Sequence, residues 1–127
     1  MLVEYPNAKQ YPGERFRRWF QDDFFDLIIW LQEDRKTVYG FQLCYDVQGN
    51  EHCLTWKRDA GYAHEVVDEG DSISPTKMSP IQIPDGPFPY KKVLDEFLDR
   101  FPKTDKRLLF FVYDKVIEFT NTGGKLV

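Results

Sequence analysis

The sequence predicts an α+β fold: an antiparallel five-stranded meander, a proline-rich loop, and two C-terminal helices packed on one face of the sheet. Three observations carry this. Apolar runs of strand length succeed one another over residues 14–67, separated by short polar or glycine-containing breaks. Five of the eight prolines then fall between Pro75 and Pro89, where neither a helix nor a central strand can run far. Two apolar stripes at helical spacing follow. The 127 residues divide, as a single domain, into an extended arm (1–13), the sheet (14–67), the long loop (68–88), two helices (89–120) and a fraying tail (121–127).

Residues 1–13 carry Pro6 and Pro12 and no sustained period, which suits an extended arm with Leu2 and Val3 docked on a neighbour. Residues 14–20 set Phe16, Arg18 and Phe20 against Arg15, Arg17 and Trp19, the alternation of a strand near a sheet edge. Gln21, Asp22 and Asp23 turn the chain into residues 24–31, apolar at nearly every position, as in a central strand or one covered on both faces. Residues 32–36 are polar and form the next loop. The runs 38–45 and 52–56 alternate, so each has one buried face. Gly49-Asn50 fits a type II′ turn, setting Tyr45 opposite Leu54 and Leu43 opposite Trp56. A three-residue loop over Asp59, Ala60 and Gly61 pairs Trp56 with His64 and Leu54 with Val66. One face then presents Leu43, Tyr45, Leu54, Trp56, His64 and Val66; the reverse presents Gln42, Cys44, Cys53, Thr55, Ala63 and Glu65.

The loop over 68–88 includes Ile81-Gln82-Ile83 as a short edge strand. Pro89 sits where a helix can begin, since it has no amide to leave unpaired. Val93, Leu94, Phe97, Leu98 and Phe101 form the first stripe, which Pro102 ends. Thr104 is an N-cap for a second helix, with Leu109, Val112, Val116 and Phe119 on one face. A hairpin over 108–120 is the rival, but no Gly or Asn is available to turn it.

Composition excludes several function classes. The net charge of −4 argues against general affinity for nucleic-acid phosphates. No apolar run reaches the length of a membrane span, and no apolar leader is visible at the N-terminus. Two cysteines without such a leader point to a reducing, cytoplasmic setting. Nucleotide-binding glycine loops, the nucleophile elbow, paired Cys-x-x-Cys and His-Glu-x-x-His are all absent. Ser74-Pro75-Thr76-Lys77 matches a Ser-x-x-Lys spelling, but Pro75 and Pro80 forbid the helical turn that chemistry needs, so it reads as chance. Cys44, Cys53, His52 and His64 do not make a zinc set, because the cysteines and histidines fall on opposite faces. With Cys44 and Cys53 only diagonal, the expectation is two buried free thiols, with no metal and no cofactor. A turn at Gln48-Gly49 would instead oppose them and permit a disulfide. The arginines at 15, 17 and 18 with Trp19 suit either an anion-binding patch or an edge strand blunted against aggregation.

One constellation carries chemistry. Trp56 and His64 would floor a pocket where the last strand enters the long loop, with Asp68, Glu69 and Asp85 on its rim. A titratable ring beside carboxylates at a loop mouth suits ligand binding or acid–base work, while a packed core histidine is the plainer reading. The stretches Arg17-Arg18-Trp19-Phe20, Phe25-Asp26-Leu27-Ile28-Ile29-Trp30-Leu31, Gly40-Phe41-Gln42-Leu43-Cys44-Tyr45-Asp46, Gly61-Tyr62-Ala63-His64 and Ile83-Pro84-Asp85-Gly86 resemble a family of small uncharacterised bacterial proteins. That resemblance implies a bacterial, cytoplasmic, stand-alone domain and no assigned activity. Two functions compete: a non-catalytic binding or protein-interaction module acting as a homodimer, and a small-molecule-binding protein or enzyme with its site between the His64 strand and the 68–88 loop. A His64 sealed under a helix favours the first; a His64 lining an open cleft favours the second.

Overall fold

In the computed structural model the described residues are 1–66, 88–102 and 105–121. Six strands, β1 (Val3–Glu4), β2 (Phe16–Gln21), β3 (Phe25–Leu31), β4 (Val38–Tyr45), β5 (His52–Lys57) and β6 (Gly61–Val66), lie in sequence order in one antiparallel sheet. Helices α1 (Tyr90–Asp99) and α2 (Lys106–Asn121) follow, so the α+β meander with two C-terminal helices stands, with one strand more than expected. The helical reading of residues 108–120 holds over its hairpin rival. Outside the described residues lie the loop over 68–87 with its short strand at 81–83, Asp68, Glu69 and Asp85, the Thr104 cap, and the tail from 122.

The additional strand comes from the N-terminal arm. Leu2 is buried, and its amide donates to the Arg100 carbonyl at the end of α1 (2.9 Å). Beyond β1, the Tyr5 amide donates to the Trp19 carbonyl, and the Gln10 side-chain amide completes the edge. Its Nε2 donates to the Arg17 carbonyl (2.8 Å) while its Oε1 accepts from the Arg17 amide (2.9 Å). One side chain thus does the work of a strand residue on the β2 edge, satisfying backbone groups that would otherwise be left open.

Side chains alternate across the sheet as its pleat requires. The inner face carries the rows Phe20, Leu27, Leu43, Leu54, His64 and Arg18, Ile29, Phe41, Trp56, Tyr62, ending in Phe25, Tyr45, His52. Both helices pack here. Phe97 of α1 meets Phe25 edge-on at 5.5 Å, and Phe111 and Phe119 of α2 meet Trp56 and Tyr62. β3, apolar on both sides in sequence, alternates between buried and half-buried positions, so only one of its faces is under helix. Arg100 ties the end of α1 to the β2–β3 turn through Asp22 (3.0 Å) and Asp23 (2.6 Å).

Both hairpin registers differ from the sequence expectation by two residues. Tyr45 faces His52 and Leu43 faces Leu54; Trp56 faces Tyr62 and Leu54 faces His64. In the first turn Asp46 takes the positive φ (58°), and the Gly49 amide donates to the Asp46 carbonyl (3.0 Å). The reversal is therefore centred on Gln48 and Gly49, not on Gly49 and Asn50. In the second, Gly61 (φ 81°) pairs with Lys57, so the loop is Arg58, Asp59 and Ala60. A shift of two keeps every side chain on its face but changes its partner. Cys44 and Cys53 are thereby directly opposed and joined as a disulfide, which overturns the expectation of two free thiols.

Candidate functional site

The inner face ends, beside the β4–β5 turn, in a cluster that includes the chain's only two histidines. Tyr45 and His52 are register partners with near-parallel rings 5.7 Å apart; Tyr45 and His64 are parallel to within 7°. The Tyr45 hydroxyl and His64 Nε2 share a hydrogen bond of 2.6 Å. His52 Nδ1 lies 2.6 Å from the Asn50 carbonyl, an acceptor, so Nδ1 carries a proton and donates it. His64 is 6% exposed, covered by Phe88 (5.1 Å, edge-on) and Phe119. The Tyr45 and His64 rings are thus oriented by packing as well as by their hydrogen bond.

In front of the cluster is a cleft of about 320 Å³ lined by Phe24, Tyr45, Asp46, Asn50, His52, Pro89, Lys92 and Val93. Its size is at the lower end of what small-molecule sites use. The aromatic wall comes from Phe24 just before β3, Tyr45 of β4 and His52 of β5, the polar rim from the β4–β5 turn, and the floor from the start of α1. Asp46 is turned into its own turn, where it accepts from the Asn50 amide (3.3 Å). Lys92 lies over the Phe24 ring at 5.5 Å.

Of the residues expected to build a site, Trp56 and His64 share the inner face, and neither lines the cleft before Tyr45 and His52. Trp56 packs between Phe41 and Phe111 with the Lys115 ammonium 4.5 Å above it. The rim acids Asp68, Glu69 and Asp85 fall outside the described residues. The members that sequence reasoning missed are Tyr45, His52, Asp46 and Lys92. The corrected turn is the signal for the first three: a reversal on Gln48-Gly49 sets His52 across from Tyr45.

The other face of the sheet has no helix on it among the described residues. Its β1–β3 half carries Val3 (61% exposed) and half-buried Trp19, Ile28 and Trp30, flanked by Tyr5 (40% exposed). Tyr5 meets Trp19 edge-on at 4.5 Å, and Trp19 donates its indole N–H to Asp26. Burial raises the Asp26 carboxyl above its ordinary range, opposed by that indole bond. The β4–β6 half is smaller and more polar: Gln42, Thr55, Ala63, Lys57 and the disulfide. Gly40 is required there. A Cβ at this position would come within 2.5 Å of the Trp56 carbonyl oxygen, and across the bare glycine its two row neighbours meet, Lys57 5.2 Å over the Trp30 ring.

Comparison with protein-family models, with curated proteins and with solved structures finds no match to the chain. No described helix is long and apolar enough to cross a membrane.

Proposed function

We propose that the protein is a non-catalytic interaction module that pairs with a second copy of itself through the β1–β3 half of its open sheet face, in the bacterial cytoplasm that the sequence resemblance implies. The supporting observation is the asymmetry of the sheet. Both helices lie on one face, while Val3, Tyr5, Trp19, Ile28 and Trp30 lie on the other, where no helix covers them among the described residues. Contiguous apolar surface of this kind on a soluble protein marks a contact site. The charges favour a second copy as the occupant. Arg17 stands in the row of Trp30, and Asp26 stands two positions away at the opposite end of the strands. A two-fold axis lying in the interface along the Trp19–Ile28 row turns one sheet end for end over the other. Each Arg17 then faces the end at which the other copy carries Asp26, as an isologous contact requires. The seal over His64 by Phe88 and Phe119 agrees with the interaction reading.

Sedimentation velocity at micromolar concentration tests the proposal. The expected species is a dimer, and Trp30→Asp converts it to a monomer with far-UV circular dichroism unchanged. A monomeric wild-type chain overturns the reading. A dimer broken by Phe110→Asp instead of Trp30→Asp moves the interface to the helices, where Leu98 and Phe110 are also exposed.

A small-molecule reading has one observation in its favour, the cleft before Tyr45 and His52. Its occupant would be a small planar compound that lies against the aromatic wall with a polar group toward Lys92. Thermal-shift screening with aromatic acids and amines tests it: a hit whose shift disappears in His52→Ala supports the reading, and a hit indifferent to that change removes it.

A further inference from the structure

Beyond the apolar half of the open face, the turn end of β4 and β5 gathers a donor set that neither reading uses. The Sγ atoms of Cys44 and Cys53 and a carboxylate oxygen of Glu51 all lie within 4.8 Å of one another. Both sulfurs are buried and bonded to each other, and Glu51 is half-buried on the turn, giving the cluster one side toward solvent. We propose that reduction of this disulfide turns the three side chains into a site for a single divalent metal ion of the zinc class, held by two thiolates, one carboxylate and a water.

The chemistry of the donors selects the ion. Two thiolates favour a borderline-soft metal, and a carboxylate is an accepted third ligand for zinc. Calcium and magnesium, which prefer oxygen throughout, are disfavoured. The geometry is close to what the ion needs. Register holds the two cysteines directly opposite on neighbouring strands, so rotation about their side-chain bonds separates the sulfurs to about 3.8 Å, as two Zn–S bonds of about 2.3 Å at a tetrahedral angle require. His52 and His64 are not available as ligands, since they belong to the other face with Tyr45. Asp26, the register partner of Cys44 on the same face, is bonded to the Trp19 indole and is not one of the set.

The conversion balances. Dithiothreitol supplies two electrons and two protons: the Cys44–Cys53 bond breaks, two thiols form, and the reductant leaves as its cyclic disulfide. The metal ion then replaces the two thiol protons, which pass to solvent, and Glu51 binds as its carboxylate. Three negative ligands around a divalent ion leave a net charge of −1, partly exposed on the turn. A paired-cysteine site in a reducing compartment is more often metal-binding than structural, so the compartment's redox poise becomes the gate between the two states.

The test uses the full chain, with and without prior reduction by dithiothreitol and anaerobic removal of the reductant, titrated with Co²⁺. The expected result for the reduced chain is one Co²⁺ per chain, with a thiolate-to-cobalt charge-transfer band and tetrahedral visible bands, both displaced by Zn²⁺. The untreated chain shows neither band. Cys53→Ser loses the charge-transfer intensity, and Glu51→Gln, a change on the turn that leaves the core intact, weakens binding by about tenfold or more. Absence of the charge-transfer band in the reduced chain overturns the proposal, as does equal cobalt uptake by the oxidised chain. If reduction unfolds the chain by circular dichroism and Glu51→Gln binds as tightly as wild type, the binding belongs to loose thiols and the proposal falls.

Discussion

The two faces of this sheet are made by the same strands, yet they follow different rules. On the inner face each row joins large apolar side chains from strand to strand, and the helices close it: Phe25, Leu27, Ile29, Phe41, Leu43 and Leu54 have no exposure. On the outer face the same strands alternate tryptophan with arginine, lysine, aspartate and small polar residues. The inner face holds the fold by removing apolar surface from water, roughly 25 cal/mol for each Å². The outer face contributes little of that and keeps side chains available. Stability and contact chemistry are therefore separated by the thickness of one sheet, and substitutions should divide along the same line.

The largest expected effect is on the inner face. Phe97 has no exposure and packs edge-on against both Phe25 and Phe101. Phe97→Ala should lower the unfolding free energy by about 3–5 kcal/mol in urea denaturation. Trp30→Ala, on the outer face of the same sheet, should stay within about 1 kcal/mol when measured on the monomer. Equal costs would break the separation.

A smaller and sharper contrast comes from two aspartates four residues apart. Asp22 is sealed in the β2–β3 turn. Burial would raise its pKa, but the Phe25 and Phe24 amides and Arg100 together hold it below the ordinary carboxylate range. Its contribution is present above that range and lost as pH falls through the depressed folded value. Asp26, on the outer face, is raised by burial with only the Trp19 indole opposing. The ionised form of Asp26 is thus disfavoured in the fold, and stability falls as pH rises from the ordinary carboxylate range through the elevated value. Asp22→Asn should therefore flatten the acid limb of a melting-temperature profile and destabilise at neutral pH. Asp26→Asn, the smallest of these effects, should raise neutral-pH stability by a few tenths of a kcal/mol. Profiles with the same slope for both variants would refute the assignment.

The sequence made the fold legible where local chemistry and long-range packing agree. Val93 and Phe97 of the first stripe and Leu109, Val112, Val116 and Phe119 of the second become buried helix faces, while Phe101 packs just past the end of α1. The division of side chains between faces was readable too, since it depends only on period. What was not readable was the partner across each hairpin. Gly49-Asn50 has the composition of a tight turn, but Asp46 can enter the left-handed region and cap the turn with its own carboxylate, so a longer reversal forms. That displacement of two residues moved His52 opposite Tyr45 and Cys44 opposite Cys53, which is why the cleft and the disulfide were both missed. The docking of Leu2 was legible, but the pairing of the arm as a sixth strand was not: nothing in a two-residue strand is periodic, and β1 exists only where the β2 edge receives it.

The Gln10 amide on the β2 edge has a consequence for how copies of this molecule can add to one another. Sheet growth resembles polymerisation: a new unit joins wherever an end still has open valences. At Arg17 both valences are filled from within the chain, donor by acceptor and acceptor by donor. The amide is thus a chain terminator built from a single side chain, and it closes the stretch of the β2 edge that the short β1 leaves open. Strand-by-strand growth past β2 is stopped at the first step. A second copy meeting this stretch of the edge would find no open backbone valence at Arg17 and could add there only by burying side chains.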